Sequence, residues 1–387
     1  MESQRLGDYI VCNPTVKLKK GQQCQLTDID SITIGQKYPI SKGLVIYDGQ
    51  SGSKFSKGDT IMARITPCLE NGKIAMYNGE EDSIGSTELF VFRGKEGVST
   101  NEFVYYFFKQ DWIRNYAANS MTGASGRQRA DIKFIQKAKV QFPPLATQQK
   151  VASILSAYDS QIENNQKRIK LLEQMAENLY KEWFVRFRFP GYETAEFEGG
   201  VPKGWVSLVG DNKKPKGWTY GELNQLGTFI RGKNITAAEM IEGQVPVISA
   251  GLEPAGYHNQ ANVCGPCLTI SSSGANAGYL KYNLTDIWAA DCSYYNNPDN
   301  IWFVYSSLKY LQPVISNLQC GAAQPHVYPK DVNRLCVILP PKSLITEYNR
   351  QSSLFFKNIH NLKNQIFLLT HQRDLLLPRL MSGKLSI

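Results

Sequence analysis

"FPPLATQQ" (Phe142–Gln149) and "LPPKSLIT" (Leu339–Thr346) carry the same punctuation, with Pro340 following Pro143 by 197 positions. Each comes after a β-like run ("KAKVQ", "RLCVI") and opens a long stretch with few helix breakers. Proline is tolerated in a first helical turn, so both read as strand-to-helix junctions. Aligned on the prolines without a gap, Ile162 meets Ile359, Asn164 meets Asn361, and Ile169 meets Ile366. Leu171 likewise meets Leu368, Leu172 meets Leu369, and Leu179 meets Leu376. Agreement at one fixed offset is the mark of an internal repeat.

Spacing says what each copy builds. Val151, Leu155, Tyr158, Ile162, Asn165, Ile169, Leu172, Ala176, Leu179 and Trp183 step by alternating fours and threes. Tyr348, Ser352, Phe355, Ile359, Leu362, Ile366, Leu369, Arg373, Leu376 and Leu380 do the same. Those are a/d seams of a coiled coil, with Asn165, Ser352 and Arg373 as the polar exceptions. A helix of about 36 residues runs ~54 Å, and its stripe must be buried somewhere. The economical solution is that the two stripes cover each other. Pro190-Gly191 is expected to stop the first helix, and Pro378 to kink or end the second near Leu377.

Fainter echoes extend the repeat to the rest of the chain. "LGDYI" (Leu6–Ile10) returns as "LGTFI" (Leu226–Ile230), and "GKIAMYN" (Gly72–Asn78) as "GYLKYN" (Gly278–Asn283). "TGASGRQRADI" before the first junction is loosely matched by "CGAAQPHVYPKDV" before the second. Short β-like runs ("TIMARI", "ELFVFRG", "CLTIS") separated by Gly and Asn predict mostly β cores, with a helical stretch such as Asn101–Asn119 in each. The expected fold class is α+β: two mostly β domains separated by two long helices packed as an antiparallel coiled coil, related by a pseudo-two-fold. Parallel packing is the less favoured alternative. The boundaries read as a first domain over 1–146, a first helix over 147–189, a second domain over 190–343 with an entry linker at 191–218, and a second helix with its tail over 344–387.

Composition narrows the function classes. At 387 residues two or three domains are expected, and an apolar fraction of 42% is that of a globular chain. No apolar run approaches the roughly 18–20 residues of a membrane span, and "MESQRLGDYI" has no signal-peptide core. A cytoplasmic protein whose eight cysteines are buried thiols is therefore expected. The net charge of +9 hints at a polyanion, yet residues 192–336 hold 10 Lys+Arg against 12 Asp+Glu, a net of −2. Nucleic-acid contact there would rest on local clusters.

The order of "FPPLATQQKVASILSAYDSQIE", a long helix, "KEWFVRFRFPGYE", a second domain and a final "LLPRLMSGKL" resembles the DNA-specificity subunit of type I restriction-modification systems. The resemblance covers essentially the whole chain. It departs at the second junction, where "LPPKSLITEY" lacks the paired glutamines of the first. It implies two target-recognition domains on double-stranded DNA, and helices that act as spacers and as docking surfaces for two methyltransferase subunits. A restriction/translocase subunit would join through them. It further implies a non-catalytic chain without its own cofactor, S-adenosylmethionine and ATP belonging to partner subunits.

Candidate DNA contacts follow from local basic and polar clusters. In the first domain they are Lys17, Lys19 and Lys20 for phosphates, with Arg64, Lys73, Arg127, Gln128 and Arg129 for bases or phosphates. "GASGRQR" is the best cluster, because glycine lets a loop approach closely and arginine offers forked donors. In the second domain the candidates are Arg231, Lys233, Asn234, Asn276, Tyr279, Lys281, Gln324 and His326.

Other motifs do not hold up. "CGPC" (Cys264–Cys267) copies a disulfide-oxidoreductase box, but the "LTISSSG" after it reads as a strand and turn, not the helix that chemistry needs. No G-x-x-x-x-G-K-[ST] loop is written, and the four histidines form no evident catalytic pair. No metal site is expected. The competing reading from another class is a protein-interaction scaffold on a helical rod, without DNA contact.

Overall fold

A computed structural model of the chain describes residues 3–124, 126–202, 212–318 and 325–385. They form two compact units, one of residues 1–166 with 364–387, the other of residues 167–363. The units are built on the same plan.

The first unit has a four-stranded antiparallel sheet in the order Ile10–Cys12, Leu89–Gly94, Thr60–Ala63, Ile74–Met76. A second sheet runs Leu44–Ile46, Gln23–Leu26, Ser83–Gly85, Ser53–Phe55, with the central pair parallel. Phe103 to Phe108, six consecutive buried residues of the helix Asn101–Lys109, fill the space against the first sheet. Phe92 and Phe108 stack at 3.8 Å. One helix was expected over Asn101–Asn119; two are found, because Gln110 turns extended and Asp111–Ala118 starts afresh. That break lets Ile113 and Ala117 reach the same core.

In the second unit the corresponding sheet runs Ile230–Arg231, Cys292–Tyr295, Cys267–Ser271, Leu280–Asn283, again antiparallel throughout. Val245–Ile248 lies between Gly256–His258 and Trp288–Ala289, pairing with the latter in parallel. The helix Ile301–Tyr310 takes the place of Asn101–Lys109. The faint sequence echoes thus mark real equivalences: "LGDYI" and "LGTFI" both lead into the first strand of the sheet, and "GKIAMYN" and "GYLKYN" supply its last.

The long helices span Leu145–Tyr180 and Lys342–Met381. Within the first unit their segments run antiparallel. Asn165 donates to Gln365 at 3.2 Å, Asp159 meets Arg373, and Leu155 shares a core with Leu377 and Leu380. Within the second unit Ala176 shares a core with Phe356 and Ile359, and Tyr180 packs on Tyr348. Leu155, Ile162, Ile359 and Leu362 are buried, and Ile169, Leu172, Leu179, Ile366, Leu369 and Leu376 are half-buried. The polar exceptions Asn165, Ser352 and Arg373 are all buried too.

Arg373 explains itself through a residue that the periodicity passes over. Asp159, one position off the seam, accepts from Arg373 at 2.5 Å and from the Tyr106 hydroxyl at 2.5 Å. The two ionic side chains are 4% and 2% exposed. Tyr106 also meets Ser156, which accepts from the buried Lys37 at 2.9 Å.

The helix starts are fastened differently. Gln148, fully buried, donates to the Val98 and Pro143 carbonyls and accepts from the amide of Thr100, the residue capping the domain helix. At the second junction its place is taken by Ile345, which packs among Tyr180, Trp183 and Phe184. Polar fastening moves one turn on. Asn349 accepts from the Trp302 amide at 2.7 Å and donates to the Pro298 carbonyl at 2.9 Å.

Both expected helix ends need correction. The first helix changes to a π turn over Lys181–Val185 and is over before Pro190. Trp183, Phe184 and Val185 are all buried, and the wider turn suits three consecutive apolar residues facing one core. Pro378 does not end the second helix at Leu377, since the helix reaches Met381. Leu377 and Leu380 on either side are buried, worth together about 3–6 kcal/mol against the ~3 kcal/mol that an interior proline costs. The cysteines also depart from expectation: Cys24, Cys267 and Cys292 are buried, whereas Cys264 and Cys336 are exposed.

Replacing Arg373 by Ala leaves Asp159 buried without its countercharge and should cost about 3–5 kcal/mol in urea unfolding. The double variant Asp159→Leu/Arg373→Met should recover most of that loss. A single-variant cost below ~1 kcal/mol would show that the pair is not what closes this seam.

Candidate nucleic-acid interface

Each unit carries the same backbone frame beside an acidic residue. In the first, the Arg64 amide donates to the Glu88 carbonyl, the Ala130 amide to the Arg64 carbonyl, and the Thr66 amide to the Gln128 carbonyl. In the second, the Ser272 amide donates to the Asp291 carbonyl, the Val327 amide to the Ser272 carbonyl, and the Gly274 amide to the Pro325 carbonyl. Glu88 therefore corresponds to Asp291, Arg64 to Ser272, and Arg129 to His326. Isolated bridges Ile65–Arg129 and Ser273–His326 complete the match.

On that frame the side chains differ. Arg129 presents a fork to Glu88, with three donor–acceptor distances of 2.7 to 2.9 Å. Hydrogen bonding to Arg129 holds the Glu88 carboxyl below its usual range. Arg64 donates to the Ala130 carbonyl at 3.2 Å and lies 4.9 Å over the Phe90 ring. Both arginines line one shallow hollow together with Thr122 and Asp131. Arg127 is exposed and Gln128 half-buried beside them. In the second unit Asp291 instead takes Arg231 and the Ser273 hydroxyl, and His326 stacks near Tyr328.

Not every candidate joins these clusters. Lys73 stands immediately before the strand Ile74–Met76, but its ammonium turns to the Ile29 carbonyl at 3.1 Å and to Asp30. Lys17, Lys19 and Lys20 are exposed on a turn before the second sheet, with Leu18 between them buried. Lys233 adjoins Arg231, its amide bound to the Ala289 carbonyl, and Asn234 is exposed after it. Asn276 and the exposed Tyr279 close a tight turn, while Lys281 reaches the Leu252 carbonyl at 3.1 Å. Gln324 lies outside the described residues.

Sequence reasoning missed Glu88 and Asp291. Each stands immediately before a strand of the repeated sheet, Leu89–Gly94 or Cys292–Tyr295, which is the signal that could have found them. The "CGPC" segment runs into the strand Cys267–Ser271, and burial pushes the Cys267 thiol up to about 12, away from a reactive thiolate.

The family model described as type I restriction modification DNA specificity domain matches residues 1–174 and again 215–373. The type I restriction enzyme MjaIX specificity subunit of Methanocaldococcus jannaschii is 27% identical over 310 residues, covering 76% of this chain and 71% of that one. The HindI specificity subunit of Haemophilus influenzae is 24% identical over 417 residues, covering 87% and 88%. In three dimensions the chain is similar to the type I restriction-modification S subunit of M. genitalium, with a TM-score of 0.62 at 16% identity over 98% of this chain and 95% of that one.

Because the Glu88 carboxyl is held below its ordinary value near 4.5, what its pair contributes is complete above that pH. It is lost as the pH falls through the lower, folded value. Glu88→Gln at neutral pH should speed amide exchange at Thr122 and Arg129 by about tenfold. Unchanged exchange would mean that the backbone bridges alone hold the loop.

Proposed function

Because the chain belongs to the type I restriction-modification DNA specificity family, we propose that each unit reads one half of an interrupted, asymmetric DNA site. One observation supports this reading: the same backbone frame beside an acidic residue is built twice and given different donors. Arg64, Arg127 and Arg129 offer forks suited to guanine O6 and N7 in the major groove. Arg231 and His326 offer a different pattern. Lysines such as Lys17, Lys19 and Lys20 add sequence-blind affinity for phosphates.

The long helices fix the spacing. Each continues from residues of one unit into residues of the other, so its length sets the unread gap between half-sites. Their outward faces keep large apolar side chains in the open, among them Phe367 at 71%, Leu171, Met175 and Leu375. Such faces suit docking of two methyltransferase subunits, through which a restriction/translocase subunit joins. The chain itself is a non-catalytic positioning subunit in the cytoplasm. S-adenosylmethionine and ATP act on the partners. No described helix is long and apolar enough to cross a membrane.

The net −2 of residues 192–336 favours a second reading, an interaction scaffold without DNA contact. Fluorescence anisotropy with the methyltransferase partner present separates the two. DNA reading requires a steep fall of log affinity with log salt, and flat, negligible binding would favour the scaffold. Arg129→Ala should weaken binding about tenfold or more and relax specificity in one half-site only. Exchange of residues 192–336 for those of another family member should likewise change one half; a change in both would end the modular picture. One heptad inserted at the same level of both helices adds ~10.5 Å and should lengthen the gap by about three base pairs. An unchanged gap would mean that the helices are not the ruler.

A further inference from the structure

The domain helices repeat a small pattern that the DNA reading does not use. Phe103, Val104, Tyr105 and Lys109 in Asn101–Lys109 return as Phe303, Val304, Tyr305 and Lys309 in Ile301–Tyr310. In each unit the Tyr–Lys pair lines a cavity closed by a long helix. The first cavity, of about 490 Å³, is closed by Thr370, Arg373 and Leu377. The second, of about 460 Å³, is closed by Glu173, Ala176 and Tyr180, the positions 197 residues earlier. The cavity is thus a property of the repeated fold, and its contents have diverged.

In the first unit the Lys109 ammonium and the Tyr105 hydroxyl are both buried with no hydrogen-bond partner among the described residues. Lys309, by contrast, is exposed. The Lys109 ammonium is tucked beside the cavity, 5.9 Å from the centre of the Tyr105 ring. A buried ammonium without a hydrogen-bond partner is costly, and one held next to a cavity of ligand size marks a site. Walls contributed by Ile34, Ile74, Trp112 and Leu377 are apolar. We propose that this cavity binds a small organic anion, a flat apolar body bearing one carboxylate or phosphate, with the Lys109 ammonium turning from its place against Tyr105 to take the charge.

The surrounding charges leave Lys109 unsatisfied. Asp159 is engaged by Arg373 and Tyr106, Asp374 by Arg373, and Asp111 by Arg114 at 2.5 Å. Arg373 and Lys37 oppose a further positive charge, while Asp159 and Asp374 favour it. Burial outweighs both and brings the ammonium down to about 8. Anion binding therefore requires the protonated form and weakens as pH rises above that value.

The test uses the full chain, titrated calorimetrically with phenyl phosphate and with benzoate, and with benzyl alcohol as the neutral control. Inorganic phosphate reports whether the apolar body matters. At pH 7 one of the two aromatic anions should bind saturably, and benzyl alcohol about tenfold more weakly or not at all. Whichever anion prevails tells a phosphate from a carboxylate ligand. Affinity should fall between pH 7.5 and 9.5. Lys109→Met should lose about tenfold or more in anion affinity yet raise the melting temperature, since it removes an unpaired buried charge. Lys309→Met should bind as the parent does. Absence of saturable binding, affinity independent of pH, or a Lys109→Met variant that binds normally would each overturn the proposal. So would a drop in melting temperature on that substitution, which would assign Lys109 a structural role. None of these readouts involves DNA, so failure here leaves the DNA reading untouched.

Discussion

A guanidinium and a carboxylate, both almost wholly withdrawn from water, have to meet each other at Arg373 and Asp159. Leaving either alone costs several kcal/mol, so the contact is less a source of stability than a rule about register. Arg373 comes from the second long helix, and Asp159 from the first, 214 positions earlier. A slip of either helix by one turn would bury one charge without the other. Tyr106 and Lys37 extend that rule into the domain, because the carboxylate and the neighbouring Ser156 are also what they need. Helix register and domain packing in the first unit are therefore one condition.

Given that register, the apolar seam supplies the driving force and the repeat supplies the economy. The same sheet, the same domain helix and the same long-helix segment recur in each unit, down to matching backbone hydrogen bonds around Glu88 and Asp291. Backbone bonds specify a frame without regard to side chains. That leaves Arg64, Arg127 and Arg129 in one copy, and Ser272 and His326 in the other, at liberty to differ.

The long helices were legible because a seam of alternating threes and fours cannot be satisfied by any other element, and all twenty of its positions end buried or half-buried. The sheets were legible only as an echo; their strands are two to six residues long, too short for periodicity to speak. What sequence did not yield were the features that depend on distant pairing. Asp159 sits off the stripe and looks like an ordinary solvated acid until Arg373 is placed against it. Glu88 and Asp291 likewise acquire meaning only when a loop some 40 residues later, or a strand some 60 earlier, arrives beside them. Pro378 misled because the local cost of a proline was visible, while the burial of Leu377 and Leu380 that offsets it was not.

Gln148 and Asn349 tie their helices to the domains from positions one turn out of step, with Ile345 standing where Gln148 would be and Ala152 where Asn349 would be. The two copies thus keep the same clasp on different links of the chain. A hybrid helix that begins as the first copy and passes into the second between those two positions would inherit both fasteners, whereas the reciprocal hybrid would inherit neither. Reshuffling of the halves is in that sense directional: one crossover product starts doubly latched, and its twin starts with its first turn unmoored.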